Sequence, residues 1–274
     1  MIAVRNNGYV LLFVKNQTEE ICLEAVKIHD LVFNCDHEFH TSSILAYVRD
    51  KTEEICWEAV NRCGLALEYI ENQTEEICLI AVRNHGGALK YVQNQTHDIC
   101  IEAVRQNGYT LEYVENKTEE IILEALKQNE YVLELIEDQT EEMCWTAIRL
   151  EPSSICYVKN QTEEMCIYVV RINGFSLEFI RNQTEEICLE AVKQNGFALR
   201  YVKEQTKEIC LEAVRQHGLA LNHVKEPDID ICLEALKNID DDKIDQVIEC
   251  VEALIIREGP ENREIIKRFM ERKR

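Results

Sequence analysis

The stretch Asn182–Gly218 reads NQTEEICLEAVKQNGFALRYVKEQTKEICLEAVRQHG and states nearly the same pattern twice. Aligned on the threonine of QTEE, the pattern occurs at Thr18, Thr52, Thr74, Thr96, Thr118, Thr140, Thr162, Thr184, Thr206 and Asp228. Successive positions lie 22 residues apart, except for a first step of 34 residues, which contains an insertion at about 31–42. A period this short indicates a stacked repeat array, because one unit of this size cannot bury its own apolar face.

Each repeat predicts two short helices, with positions counted as offsets from the aligned threonine. The threonine, or Asp228, caps the first helix, because these side chains accept hydrogen bonds from free first-turn amides. Ile, Cys, Ala and Val at offsets 3, 4, 7 and 8 then form one stripe of an α-helix. In seven repeats glycine follows, and we expect it to end that helix in a left-handed conformation.

The second helix of each repeat is predicted from apolar residues at offsets 13, 14, 17 and 18, with the aromatic residues at offset 17 in the core. A leucine-rich repeat has a similar period, but its LxLxxN strand signature is missing. The sequence therefore predicts an all-α fold, an α-solenoid of about ten 22-residue helix-turn-helix repeats. The repeat array covers 1–237, and 238–274 form a C-terminal helical cap.

Cysteine occupies offset 4 in nine of the ten repeats. The exception is the repeat that begins at Thr118, which carries Ile122 there. Helix layers about 9–10 Å apart are too distant for a disulfide between the offset-4 cysteines of successive repeats. We interpret the cysteines as small buried apolar side chains. Thirteen cysteines without a secretory signal predict a reducing, intracellular compartment.

The charge pattern restricts the partners. A net charge of −21 disfavours general binding to nucleic acid or to an anionic membrane, and no apolar run approaches the ~18 residues of a membrane span. Acidic residues at offset 2 and basic residues at offset 9 oppose the helix dipole. Glutamate at offset 6 is also placed to pair with the base at offset 9.

The exposed face of the second helices, at offsets 16 and 19, varies between repeats and is the predicted partner-binding surface. Its acidic candidates are Glu112, Glu115, Glu134 and Glu137, and its basic candidates are Lys159, Arg181, Arg200, Lys203 and Lys225. Such segregation is not required for solvation alone. We therefore expect a protein partner, of unknown identity, on this face.

No catalytic motif is found, and we expect neither catalysis nor a cofactor. The insertion contains Cys35, His37 and His40, which are potential metal ligands. Its HEFH segment is one residue short of the HExxH zinc motif. A metal-dependent site in the insertion is accordingly a weak alternative.

The unit NQTEEICLEAVKQNGFALRYVK, repeated over about 1–237, closely resembles the domain-of-unknown-function 4116 repeat family. Repeats of this family are abundant in giant DNA viruses of amoebae and occur in some amoeba-associated bacteria. The resemblance implies a viral or effector-like protein that acts inside a host cell, in the host cytoplasm or in a virion. It implies no activity and no catalytic residues.

Three functional hypotheses follow. The first is a non-enzymatic α-solenoid scaffold for protein–protein interaction. The alternatives are an acidic decoy, which mimics nucleic acid and captures basic proteins, and the metal-dependent site in the insertion. The first repeat starts inside a unit and shows no polar cap, so we also expect self-association through the N-terminal end.

Overall fold

A computed structural model describes residues 2–29, 44–239 and 243 of the 274-residue chain. Within these residues every regular element is a helix, and no strand occurs. The predicted insertion lies outside the described residues, and so does almost all of the predicted C-terminal cap. Neither of these two predictions is therefore tested.

The α-helices of the described residues are α1 (Ile2–Asn6), α2 (Glu19–His29), α3 (Glu53–Arg62), α4 (Glu75–Asn84), α5 (His97–Gln106), α6 (Glu119–Gln128), α7 (Glu141–Leu150), α8 (Glu163–Ile172), α9 (Glu185–Gln194), α10 (Lys207–Gln216) and α11 (Ile229–Lys237). They alternate with 3₁₀ helices, namely η1 (Gly8–Phe13), η2 (Ile44–Tyr47), η3 (Gly64–Tyr69), η4 (Gly86–Tyr91), η5 (Gly108–Tyr113), η6 (Glu130–Leu135), η7 (Pro152–Tyr157), η8 (Gly174–Phe179), η9 (Gly196–Tyr201) and η10 (Gly218–His223).

The chain forms two compact units, an N-terminal unit of Met1–Asp138 and a C-terminal unit of Gln139–Arg274. Within each unit, every α-helix packs on the α-helix of the next repeat, and every 3₁₀ helix packs on the next 3₁₀ helix. Each unit is thus an all-α repeat solenoid, which confirms the predicted fold class. The division into two units was not predicted from the sequence.

The first helix of each repeat forms where it was predicted, although the Thr52 side chain makes no capping hydrogen bond. Thr184 has an extended backbone, and its hydroxyl accepts a hydrogen bond from the Ile187 amide; Asp228 caps α11 in the same way. The stripe that follows is buried, since Ile187 is 1% exposed and Ala191 is fully buried. The cap fixes where the helix starts, and the stripe fixes which face joins the core.

The second helix of each repeat is a 3₁₀ helix rather than an α-helix. With three residues per turn, residues three apart share a face, so Gly196, Leu199 and Val202 are buried together in the Thr184 repeat. The predicted stripe is therefore wrong at offsets 13 and 17. The aromatic residues at offset 17 lie partly in solvent instead of in the core: Tyr113 is 37% exposed and Phe179 is 40% exposed.

The glycine between the two helices has a role that differs from the predicted one. The residue before it, Cys63 in the Thr52 repeat, is extended, and Gly64 itself does not adopt a left-handed conformation. A Cβ atom on Gly64 would instead lie 2.2 Å from the carbonyl oxygen of Ala81, in the next repeat. The glycine is needed because two backbones approach closely there.

A row of glutamines, one residue before the capping threonine, joins neighbouring 3₁₀ helices. In the described residues the row consists of Gln17, Gln73, Gln95, Gln139, Gln161, Gln183 and Gln205. The Gln183 amide donates hydrogen bonds to the carbonyl oxygens of Leu177, at 3.2 Å, and Tyr201, at 3.0 Å. Its Oε1 atom accepts one from the Lys203 amide at 2.9 Å. One side chain therefore satisfies backbone groups of two successive repeats.

Replacing Gln183 by alanine is expected to lower the free energy of unfolding by about 2–3 kcal/mol, because part-buried backbone groups lose their partners. Urea denaturation followed by circular dichroism measures this change. The control is Gln216→Ala, since Gln216 is exposed and its amide bonds, within the part of the chain that the structure describes, only to the Glu212 carboxylate at 3.1 Å. Equal losses in the two variants would contradict a structural role for the glutamine row.

Ion pairs connect the α-helices of successive repeats, in addition to the contacts of the glutamine row. Arg105 pairs with Glu102 one turn back, at 3.3 Å, which confirms the pairing predicted between offsets 9 and 6. It also pairs with Glu124 of the next repeat, at 2.9 Å. Hydrogen bonds from Arg105 and then from Lys127 hold the pKa of Glu124 below its ordinary value. The bases at offset 9 are thereby largely neutralised by carboxylates.

Candidate partner-binding surface

Four of the five predicted basic residues lie in one row on the C-terminal unit. We call Lys159, Arg181, Lys203 and Lys225 the basic row. Arg181 donates from Nη1 to the Lys159 carbonyl oxygen at 2.7 Å. Lys203 and Lys225 repeat this contact, each donating from Nζ to the carbonyl oxygen of the preceding row member at 2.7 Å. The structure thus brings these four residues together along successive repeats.

The cations of the basic row differ electrostatically from those of the α-helices. Arg171 and Lys193 on the α-helices lie 2.7 Å and 2.9 Å from Glu190 carboxylate oxygens. Within the described residues, the hydrogen bonds of Arg181 and Lys203 go instead to neutral carbonyl oxygens at the ends of 3₁₀ helices. Carbonyl dipoles orient a cation without cancelling its charge. Because both side chains are exposed, the basic row presents positive charge to solvent.

Arg200 is predicted in the same group but is held differently. Its guanidinium lies over two aromatic rings, 5.0 Å from the centroid of Phe175 and 4.4 Å from that of Tyr201. It also hydrogen-bonds to the Tyr201 hydroxyl. Burial of His223, and then the positive charge of Arg200, lower the pKa of that histidine. Arg200 therefore belongs to an aromatic cluster beside the basic row.

The predicted acidic candidates lie on the N-terminal unit. Glu112, Glu115, Glu134 and Glu137 are all exposed, as expected for offsets 16 and 19. Glu112 hydrogen-bonds to the neighbouring Tyr113 hydroxyl and raises the pKa of that phenol. Acidic and basic candidates are therefore found on different compact units.

The cysteines at offset 4 are buried and unsuited to nucleophilic chemistry. Burial, and then the charge of Glu185, raise the pKa of the Cys188 thiol to about 11. Its sulfur donates to the Oε1 atom of Gln183 at 3.9 Å. In the Thr52 repeat, where Lys51 stands in place of this glutamine, the Cys56 sulfur donates to the Lys51 carbonyl oxygen at 3.8 Å. The cysteines pack as predicted and in addition make a weak hydrogen bond.

The glutamine row was missed by the sequence interpretation, although a signal for it was present. A threonine cap alone does not need a glutamine before it, yet seven repeats carry one.

A metal site finds no support in the described residues, since they contain no group of three metal-binding side chains. The weak candidates Cys35, His37 and His40 lie outside those residues. No helix among the described residues combines the length and the apolar character needed to cross a membrane.

The family with the description "Domain of unknown function (DUF4116)" matches the chain in five overlapping segments, at residues 52–96, 74–118, 97–140, 162–207 and 184–227. Together these segments cover more than half of the chain. The chain belongs to this family. The DUF4116 matches follow the 22-residue period and confirm the resemblance seen in the repeated QTEEICLEAV core. No curated protein and no solved structure matches the chain.

Proposed function

We propose that this DUF4116 protein is a non-enzymatic repeat scaffold that binds a protein partner, and that the basic row is a principal contact. The observation that carries the proposal is the exposed positive charge of Arg181 and Lys203, whose hydrogen bonds are to backbone carbonyl oxygens. The partner segment is then acidic, because carboxylates complement a row of cations at regular spacing.

The setting of this function is part of the proposal. An intracellular, reducing compartment is supported by buried cysteines that form no disulfide, such as Cys78, Cys188 and Cys210. Action inside a host cell, for a viral or effector-like protein, rests on the family resemblance alone. Self-association through the N-terminal end is also proposed, and the 84% exposure of Phe13 supports it.

The test is affinity capture from an amoebal lysate, followed by mass spectrometry and by titration of each captured protein. We expect Arg181→Gln combined with Lys203→Gln to weaken binding of the partner by about tenfold or more, because both charges face the partner. The matched control is Arg171→Gln combined with Lys193→Gln, which makes the same change in net charge on the α-helix face.

The outcomes separate the proposal from its main alternative. Loss of binding in the control but not in the first variant would place the partner on the α-helix face and refute the proposed site. The acidic decoy instead predicts many basic partners that dissociate at high salt, and it predicts no loss when cations of the basic row are removed.

A further inference from the structure

A cleft of about 250 Å³ opens between η7 and η8 in the C-terminal unit. Its apolar lining includes Pro152, Ile172 and Phe179, and the carboxylate residues Glu151 and Glu178 also line it. The cleft lies within two consecutive repeats, which begin at Thr140 and Thr162. It involves none of the residues of the basic row.

The cleft coincides with three departures from the repeat pattern. Pro152 replaces the glycine of offset 12, and Ser153 replaces an apolar residue that is aromatic in four other repeats (Tyr109, Tyr131, Phe175 and Phe197). Ile172 replaces a glutamine found at Gln106, Gln128, Gln194 and Gln216. The repeats that begin at Thr96 and Thr184 fold with glycine, an aromatic residue and glutamine at these three offsets, so folding of a repeat does not require the changes.

Each departure has a structural consequence. The short side chain of Ser153 leaves open a space that a larger residue at offset 13 would occupy. α7 and α8 also approach each other at fewer backbone positions than the other neighbouring α-helices of this unit do. Gln194 accepts a hydrogen bond from the Gly174 amide at 2.7 Å, whereas Ile172, at the same offset, makes no such bond and is 49% exposed. The repeat has exchanged a polar contact for exposed apolar surface.

Apolar surface is also exposed around the cleft. Phe179 is 40% exposed, and Leu150, at the offset of Ile172 in the preceding repeat, is 51% exposed. Clustered apolar surface beside a cavity indicates a binding site more strongly than scattered apolar residues do.

The acidic residues give the cleft a charge preference. The Glu151 carboxylate is fixed, since its Oε1 atom accepts a hydrogen bond from the Ser153 amide at 3.1 Å. Asn195 makes the same contact with the Phe197 amide at 3.0 Å in a later repeat, but it carries no charge. Glu178 is exposed and adds a second negative charge. The lining therefore combines an apolar floor with two carboxylates.

We propose that this cleft binds a peptide segment of a partner protein in which one large apolar side chain lies between lysines or arginines. The apolar side chain packs against Ile172 and Phe179, and the flanking cations pair with Glu151 and Glu178. This site differs from the basic row in position and in the charge of its ligand.

The test uses three fluorescein-labelled peptides, GSKFKSG, GSEFESG and GSKSKSG, titrated with the full chain and followed by fluorescence anisotropy. The first probe is expected to bind saturably. The second and the third are expected to bind at least about tenfold more weakly, because they lack the complementary charge and the apolar side chain respectively. No saturable binding of the first probe up to about 1 mM, or binding of the second or the third probe as tight as that of the first, would overturn the proposal.

Two variants test the cleft itself. Ser153→Tyr is expected to fill it, and Ile172→Gln restores the residue usual at that offset; each should weaken binding of GSKFKSG by about tenfold or more. Both substitutions install residues that other repeats contain, and thermal denaturation verifies folding. Gln216→Ile is the control, since it adds an exposed isoleucine at the offset of Ile172. In the repeat before it, the residue at offset 13 is Phe197 instead of a serine such as Ser153. Wild-type affinity in both cleft variants, or tighter binding by the control, would refute the site.

Discussion

Replacement of Gly64 by alanine is expected to lower the free energy of unfolding by about 3 kcal/mol and the melting temperature by roughly 6–12 °C. The added Cβ would lie 2.2 Å from the Ala81 carbonyl oxygen and 3.0 Å from the His85 amide nitrogen, both backbone atoms of the next repeat. Neither atom can move aside as a flexible side chain would. The two repeats must separate, and the apolar contacts between them are lost. Differential scanning calorimetry measures the shift.

Gly87→Ala is the matched control for this prediction. Gly87 lies at offset 13, where other repeats carry larger residues such as Leu65. Among the described residues, its added Cβ would approach only the His85 side chain, with Cε1 at 2.9 Å. We expect the stability to stay within about 1 kcal/mol of wild type, because alanine also reduces the entropy of the unfolded chain. A similar loss in both variants would show that helix propensity, and not close backbone approach, determines the glycine position.

Raising the pH from 8 to 10.5 is expected to destabilise the protein strongly through its buried thiols. Burial is the main cause that raises the pKa of Cys78, Cys166, Cys188 and Cys210 from an ordinary value of 9.0 to about 11. The unfolded chain therefore releases these protons at lower pH than the folded protein does. The contribution is fully present below pH 9 and is lost as the pH rises towards 11.

Between pH 8 and pH 10.5 the expected size of this effect is about 2 kcal/mol for each thiol. Urea denaturation at the two pH values, under a reducing agent, measures it. Tyrosine and lysine side chains also titrate near pH 10, so the comparison is made with Cys188→Ala combined with Cys210→Ala. This variant should be less stable at pH 8 but should lose less stability on going to pH 10.5. A pH dependence identical to that of the wild type would contradict burial of the thiols.

The local signals of the sequence predicted the first helix of each repeat well. Thr184 and Asp228 share little except an oxygen that can cap a helix, and both do so in the structure. The stripe that begins at Ile187 was readable for a related reason, since 3.6-residue periodicity specifies both the helix and its buried face.

The second helix and the glycine were harder to predict, because contacts between repeats determine them. Six residues between Gly196 and Tyr201 admit either helix type, and only packing against the next layer selects the 3₁₀ form. A glycine after a helix has two physical explanations, a left-handed conformation or a close approach. The neighbouring backbone that distinguishes them, near Ala81 for Gly64, is 17 residues away in the sequence.

The candidate site was predicted in part. Repetition placed Lys159, Arg181, Lys203 and Lys225 at one offset, so their alignment followed from the period. That the hydrogen bonds of Arg181, Lys203 and Lys225 go to carbonyl oxygens could not be deduced, because the bases at offset 9 have the same residue types and pair with glutamates. In the sequence, the only sign of the cleft was the irregular segment LEPSSICYV, at residues 150–158. The cavity itself could not be predicted, because residues of the next repeat form part of its lining.

The contacts that join repeats also bear on how the gene can change. Gln161 contacts Phe179 and Arg181, and Gln183 contacts Tyr201 and Lys203, in each case 18 and 20 residues further on. An in-frame duplication or deletion of one 22-residue segment inside a unit leaves every remaining pair at its required separation. Unequal recombination between neighbouring copies can therefore lengthen or shorten the array without a new interface. Substitutions such as Ser153 and Ile172 can then accumulate in one copy while the others preserve the architecture.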